Sequence, residues 1–402
     1  MKVKLGEIFQ IASGGTPSKQ KTSYYKNGTI PWVKTGDLKE KYVIENVECI
    51  TEDGLANSSA KLFPANTVLV AMYGATIGAS SILSYEAATN QACAAFLPNK
   101  EVLPEYLYYF LCSKKEQFIK DSVGGAQPNI SAGYLKTVQI ELETIEEQSA
   151  IVSSLDKVDN LIDLRKKQLE QLDLLVKSRF IEIFGDLADP DCQYNKCKLI
   201  EVCANNDGIK CGPFGTQLNK NEYQESGVSV WEIPQINSGF KEQPTHFITD
   251  EKAKELSAYS LLPGDIAMSR KGNVGRCGLF PPSYAPGIIH SDVLRIRVDK
   301  NRVSPCFMMC QLHFSRDVQR QIEMVSSGAI MAGVNVTKLK QIDVYVPDFT
   351  LQEQFSDFVA QVDKSKLVMH KILQKLQELY EGHIIFAESP PLDGDFCRLS
   401  KS

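Results

Sequence analysis

One pattern occurs twice in this chain. Asn129-Ile130-Ser131 is followed by Leu135, Val138 and Ile140, then by Ile145-Glu146-Glu147-Gln148 and a long helical run. Asn335-Val336-Thr337 is followed by Leu339, Ile342 and Val344, then by Leu351-Gln352-Glu353-Gln354 and a second helical run. Asn129 precedes Asn335 by 206 positions, as Glu147 precedes Glu353, which sets the offset of the repeat. Looser matches lie upstream, Lys4-Leu5 with Lys198-Leu199 and Leu62-Phe63-Pro64 with Leu261-Leu262-Pro263. A duplicated chain folds as similar units, and 402 residues are in any case too many for a single core.

Each helical run carries heptads. Ile151, Leu155, Val158, Ile162, Arg165, Leu169, Leu172, Val176, Arg179 and Ile183 alternate steps of four and three, as do Phe355, Phe358, Val362, Ser365, Met369, Ile372, Leu376, Leu379 and His383. A 3.5-residue period held this long predicts a coiled-coil seam, and two matching seams predict that the helices pair. The units read as β-rich. Thr67 to Tyr73 is strand-like and ends in the turn Gly74-Ala75-Thr76-Ile77-Gly78, while Gly264 to Arg270 leads into Lys271-Gly272-Asn273-Val274-Gly275-Arg276. Short helices are expected over Glu105–Lys120 and Pro305–Met324. The predicted class is α+β: a β-rich unit (1–144), a long helix (145–191), a second β-rich unit (192–350), a second helix (351–387), and a tail (388–402) whose Pro390, Pro391 and Gly394 predict disorder.

The net charge of −5 argues against a chain coated in nucleic acid, but its distribution is uneven. Residues 145–191 hold 11 acidic and 6 basic side chains, residues 1–144 are balanced, and residues 192–350 are basic by two. Both β-rich units can therefore meet DNA locally. The start, Met1 to Glu7, lacks an apolar signal stretch, and no run reaches the ~18 apolar residues of a membrane helix. Eleven cysteines without pairwise rhythm suit reduced thiols in a cytoplasm. Cys192, Cys197, Cys203 and Cys211 cluster, yet no pair has the two-residue gap usual in zinc sites, so no metal is expected.

Catalytic chemistry and cofactors are not expected either. Gly14-Gly15-Thr16-Pro17-Ser18-Lys19 has a proline where a phosphate loop would start its helix. Phe280-Pro281-Pro282-Ser283-Tyr284 is superficially like an amino-methyltransferase loop but lacks the Asn, Asp or Ser before its prolines that would accept the target amine's hydrogens. The five histidines have no metal spacing.

The ordered motifs resemble the specificity subunit of type I restriction-modification systems over almost all of residues 1–386. The second unit matches at Gly212-Pro213-Phe214-Gly215-Thr216, Leu262-Pro263-Gly264-Asp265-Ile266, Ser269 to Arg276, and Pro347 to Gln354. The first matches at Gly14-Gly15-Thr16-Pro17-Ser18, Ile30-Pro31-Trp32-Val33, Thr89-Asn90-Gln91-Ala92 and Glu147-Gln148. The resemblance implies two target-recognition domains separated by two long helices that pair as an antiparallel coiled coil. Each domain would read half of a bipartite DNA site. DNA methyltransferase subunits that modify adenine, and restriction (motor-nuclease) subunits, would supply the chemistry. The alternative is a coiled-coil scaffold with two β-rich protein- or sugar-binding domains.

Base readout needs Arg or Lys forks for guanine and Asn or Gln for adenine, with hydroxyls for phosphates. Polar turns offer these. The DNA-binding candidates in the first unit are Thr16, Ser18, Lys19, Lys34, Thr76, Asn90, Gln91, Gln127 and Asn129. In the second they are Thr216, Gln217, Gln235, Asn237, Arg270, Lys271, Asn273, Arg276, His290 and Ser291. The competing reading is that most are solvated loop residues. Trp32 and Trp231, at similar places in the two units, are expected in the core rather than stacked on bases.

Overall fold

The computed structural model describes residues 1–43, 47–124, 128–187, 189, 192–326 and 333–386, the last six by backbone alone. Gln127 and the tail from 388 lie outside the described residues. Two compact units form, Met1–Lys166 with the chain from Lys371, and Lys167–His370. Each long helix thus gives one half to each unit. Among the described residues no helix is long and apolar enough to cross a membrane.

The two units have the same sheets. In the first, a four-stranded sheet runs in the order Ile11–Ser13, Cys93–Phe96, Val68–Ala71, Ser80–Ile82, and a second in the order Cys49–Ile50, Ile30–Val33, Ala87–Thr89, Leu62–Phe63. A two-stranded pair joins Lys2–Lys4 to Gln139–Glu141. The second unit repeats this with Ile209–Cys211, Val293–Ile296, Ile266–Ser269 and Cys277–Leu279, then His246–Ile248, Val228–Trp231, Gly287–Ile289 and Ser260–Leu261, and the pair Asn195–Lys198 with Asp343–Val346. Between these strands one pairing in each unit is parallel and the others antiparallel.

Equivalent hydrogen bonds correct the offset of the repeat near the helices from 206 to 204. Ser131 caps Ala132–Thr137 by accepting the Tyr134 N–H at 3.0 Å, and Asn335 caps Val336–Leu339 through the Lys338 N–H at 3.0 Å. The counterpart of Gln148 is therefore Gln352, not Gln354: both are fully buried, whereas Gln354 is exposed. The tryptophans are also out of step. Trp32 pairs with Ala88, and the equivalent residue of the other unit is Val230, paired with Ile288. Side chains alternate across a strand, so Trp32 and Trp231 point to opposite faces of their sheets. Both are core residues, Trp32 beside Ile50, Ala60 and Ala88, and Trp231 against Phe240, Phe280 and Tyr284 with ring centroids 5.0–5.5 Å away. Phe280 is thus a core residue with Tyr284 packed beside it, while Pro282 and Ser283 between them are exposed.

The first long helix spans Ile145–Phe184 and the second Phe349–Phe386. The first stops short of the expected 191 because Gly185 takes a left-handed φ of +72°, which closes the helix with its N–H on the Ile181 carbonyl. In the second unit the helices run antiparallel: Phe184 and Phe180 lie 5.6 and 5.5 Å from Phe355, and further along Asp173 meets Lys366 at 2.6 Å. In the first unit Tyr380 packs on Tyr109 beside Ile151, Val152 and Leu155. The seam keeps Leu155, Ile162, Val176, Phe355 and Val362 buried, but Phe180, Phe184 and Val359 also face inward and Leu379 is exposed. A wider stripe is what a helix needs when it packs on a domain core as well as on another helix. The short helices each break in two, at Lys114 and at Ser315, the latter because its extended backbone (ψ 117°) interrupts the run.

Candidate nucleic-acid interface

In the first unit, loops at one end of the sheets are tied into a continuous rim. The Asn90 N–H donates to the Val33 carbonyl at 3.0 Å, setting the Asn90-Gln91 turn beside Lys34. Gln91 in turn accepts the Thr16 hydroxyl. The strand end at Met72 donates to the Ala92 carbonyl and accepts from the Ile130 N–H, and Gly74 donates to the Pro128 carbonyl. This brings the turn carrying Thr76 against Asn129, whose backbone also pairs with Val123. Ser18 and Lys19 are exposed just beyond Thr16. Lys34 is not free: it meets Glu48 at 2.8 Å, a bond that raises its pKa. The Gly14-Gly15 pair has a steric cause, since a Cβ on Gly14 would lie 2.0 Å from the Thr89 carbonyl oxygen.

The second unit gathers its candidates around Asp292. Lys271 Nζ sits 2.8 Å from the Asp292 carboxylate, Arg270 N–H donates to the Asp292 carbonyl at 2.9 Å, and Asp292 N–H donates to His290 Nδ1 at 3.2 Å. The Ser291 backbone carbonyl accepts the Cys211 thiol, and Gly212 packs on the His290 backbone, whose carbonyl oxygen would lie 2.2 Å from a Cβ placed on it. The glycine turn uses Gly272 and Gly275 at φ +67° and +81°, the same device as Gly74 and Gly78 at +68° and +78°. Arg270 lays its guanidinium 4.8 Å over the half-exposed Phe214 ring. Thr216 and Gln217 are exposed on the adjoining loop.

Asn237, Asn273 and Arg276 line a cavity of about 620 Å³ together with His313 and Gln319. Gln235 is the exception to the candidates. It is buried, accepting the Glu232 N–H and donating to the Gln243 carbonyl, both at 3.1 Å, so it holds a loop and has no edge to offer a base.

Residues 1–174 match the family model described as the type I restriction modification DNA specificity domain. The MjaIX specificity subunit of Methanocaldococcus jannaschii is 34% identical over 413 aligned positions, covering 96% of this chain and 92% of that protein. The chain belongs to the type I restriction enzyme specificity subunits. The Escherichia coli EcoR124I/EcoR124II specificity subunit is 32% identical over 182 residues, which span 41% of this chain and 45% of that relative. A chain from a solved structure on complex assembly and conformational transition of the type I R-M system shares the fold, with a TM-score of 0.59 at 17% identity over 96% of this chain and 97% of that one.

A type I specificity subunit is a DNA-recognition component and not the catalytic one, and this membership disfavours the scaffold alternative. Its sequence hides three residues of the rim. Phe214 lies inside the Gly212 to Thr216 motif, yet only its exposure beneath Arg270 marks it as a platform. Tyr73, 44% exposed, precedes Gly74 as Lys271 precedes Gly272, and that equivalence was the available signal. Asp292 is the organiser of its cluster through bonds no spacing announces.

Proposed function

We propose that this specificity subunit reads a bipartite DNA site, one half with residues 1–144 and the other with residues 192–350. The reading includes DNA methyltransferase subunits that modify adenine and restriction subunits that cut, assembled with it in the cytoplasm. The observation that carries it is the repeated unit: the same sheets end twice in the same glycine turn, tied to the loop before the 132–137 and 336–339 helices. Two copies of one reader on a shared pair of helices suit a site in two parts.

The rims differ chemically. Where the second unit has Arg270, Lys271, Asn273 and Arg276, the first has Met72, Tyr73, Ala75 and Ala79 around its turn, Ala79 and Arg276 each accepting the N–H of the residue that ends the preceding strand (Ala71 and Ser269). The second unit should engage phosphates and polar base edges with cations. The first should use neutral hydrogen bonds from Thr16, Asn90 and Gln91. Replacing residues 1–144 by the corresponding part of a relative tests the reading. Sequencing of methylated sites should show one half-site changed and the other kept; a swap that alters both halves together would sink the assignment of one reader per half.

A further inference from the structure

We infer that Arg270 reads a guanine in the half-site of the second unit, with Phe214 as the platform that orients it, and is not one of the phosphate contacts. The inference rests on the reading of this unit as a DNA reader. Three restraints hold the arginine. Its backbone is bonded on both sides, donating to Asp292 at 2.9 Å and accepting from Val334 N–H at 3.1 Å. Its Nε donates to the Val334 carbonyl at 3.3 Å, and its guanidinium carbon sits 4.8 Å over the Phe214 ring. The platform is itself restrained: Phe214 N–H donates to Gln217 Oε1 at 3.1 Å, and that same oxygen accepts the Tyr259 hydroxyl at 3.1 Å.

This arrangement differs from that of the neighbouring cations. Lys271 is held by Asp292, while Arg270 has no ion pair among the described residues. A flexible point charge suffices for a phosphate. A guanidinium held at Nε and seated over a ring suits a donor pair aimed at the O6 and N7 acceptors of guanine. Ordering the side chain beforehand removes an entropic cost that binding would otherwise bear. The first unit has Met72 at this position, with the same two backbone bonds and its side chain buried, so the effect belongs to one half-site only.

The test uses the full chain assembled with a type I methyltransferase subunit, a randomised duplex library and sequencing of the methylated sites. Wild type is compared with Arg270→Ala, Arg270→Lys and Phe214→Ala, and thermal denaturation confirms folding. Arg270→Ala and Arg270→Lys should each lose a G·C preference at one position, by roughly ten- to a hundred-fold. The other half-site and the salt dependence should stay as they are. Phe214→Ala should weaken the same position less, because the Nε bond remains. An unaltered motif with a logarithmic salt slope lowered by about 0.9 in Arg270→Ala would make the arginine a phosphate contact, overturning the inference and leaving the DNA face intact. Folded variants with neither motif nor slope changed would overturn both. Should Arg270→Ala fail to fold, Arg270→Lys retains the charge and decides the question through the motif.

Discussion

Gln148 and Gln352 make the same bonds in the two units. Each is fully buried near the start of a long helix, accepts a backbone N–H (Leu103 at 2.8 Å, Ser304 at 2.9 Å) and donates to the carbonyl five residues back (Glu143 and Pro347, both 2.9 Å). Gln148 also donates to Glu101. Each glutamine therefore ties its helix to the segment that opens the neighbouring helix, Pro104–Ser113 or Pro305–Phe314.

Removing that tie leaves buried donors and acceptors unpaired, at about 1–3 kcal/mol for each stranded group. Gln148→Ala and Gln352→Ala are each expected to destabilise their own unit by roughly 2–4 kcal/mol. Chemical denaturation with a probe in each unit checks this; a loss under about 1 kcal/mol would mean that water replaces the side chain.

His313 supplies a pH dependence. Its Nε2 accepts the Cys277 N–H at 2.8 Å, and burial, with the Arg276 charge nearby, pushes its pKa down to about 4. The unfolded chain takes up this proton below about pH 6.5 and the folded unit does not. Stability should thus fall between about pH 6.5 and pH 4, by about 2–3 kcal/mol at most, and be regained above. His313→Gln keeps an acceptor without a titration, so its denaturation midpoint should vary less over that window than the wild type's.

Lys271 and Arg276 are the expected phosphate-binding residues of the second unit. The double alanine variant should lower the slope of log affinity against log salt by about 1.8, or about 0.9 for each phosphate no longer neutralised. A slope equal to wild type, in a folded protein, would return both to the ordinary surface.

Spacing should follow helix length. The first helix has 40 residues, about 60 Å at 1.5 Å each. Because the helices pair, lengthening one alone would break the seam, so four residues are added to both, after Lys166 and after His370, where the compact units divide. That adds about 6 Å, near two base pairs at ~3.4 Å each. The methylated sites should keep both half-sites with a longer gap. An active variant with the original gap would assign the distance to something else.

The duplication, the two long helices, the β-rich units and the family were all legible in the order of residues, because local periodicity and repeated motifs are properties of the chain itself. Tertiary structure alone decided what depends on a partner. A shift of one residue turns a strand side chain to the other face, so Trp32 and Trp231 look alike in sequence and lie on opposite sides of their sheets. A shift of two separates the buried Gln352 from the exposed Gln354, and only the Ser304 N–H and the Pro347 carbonyl distinguish them. Gln235 carries the chemistry of a base reader but spends it on Glu232 and Gln243, whereas Phe214, an apolar residue, becomes part of the rim because the Arg270 guanidinium sits over it. Residue type sets what a side chain can bond; the backbone groups that the fold brings within hydrogen-bonding reach determine whether any of that capacity is left for DNA.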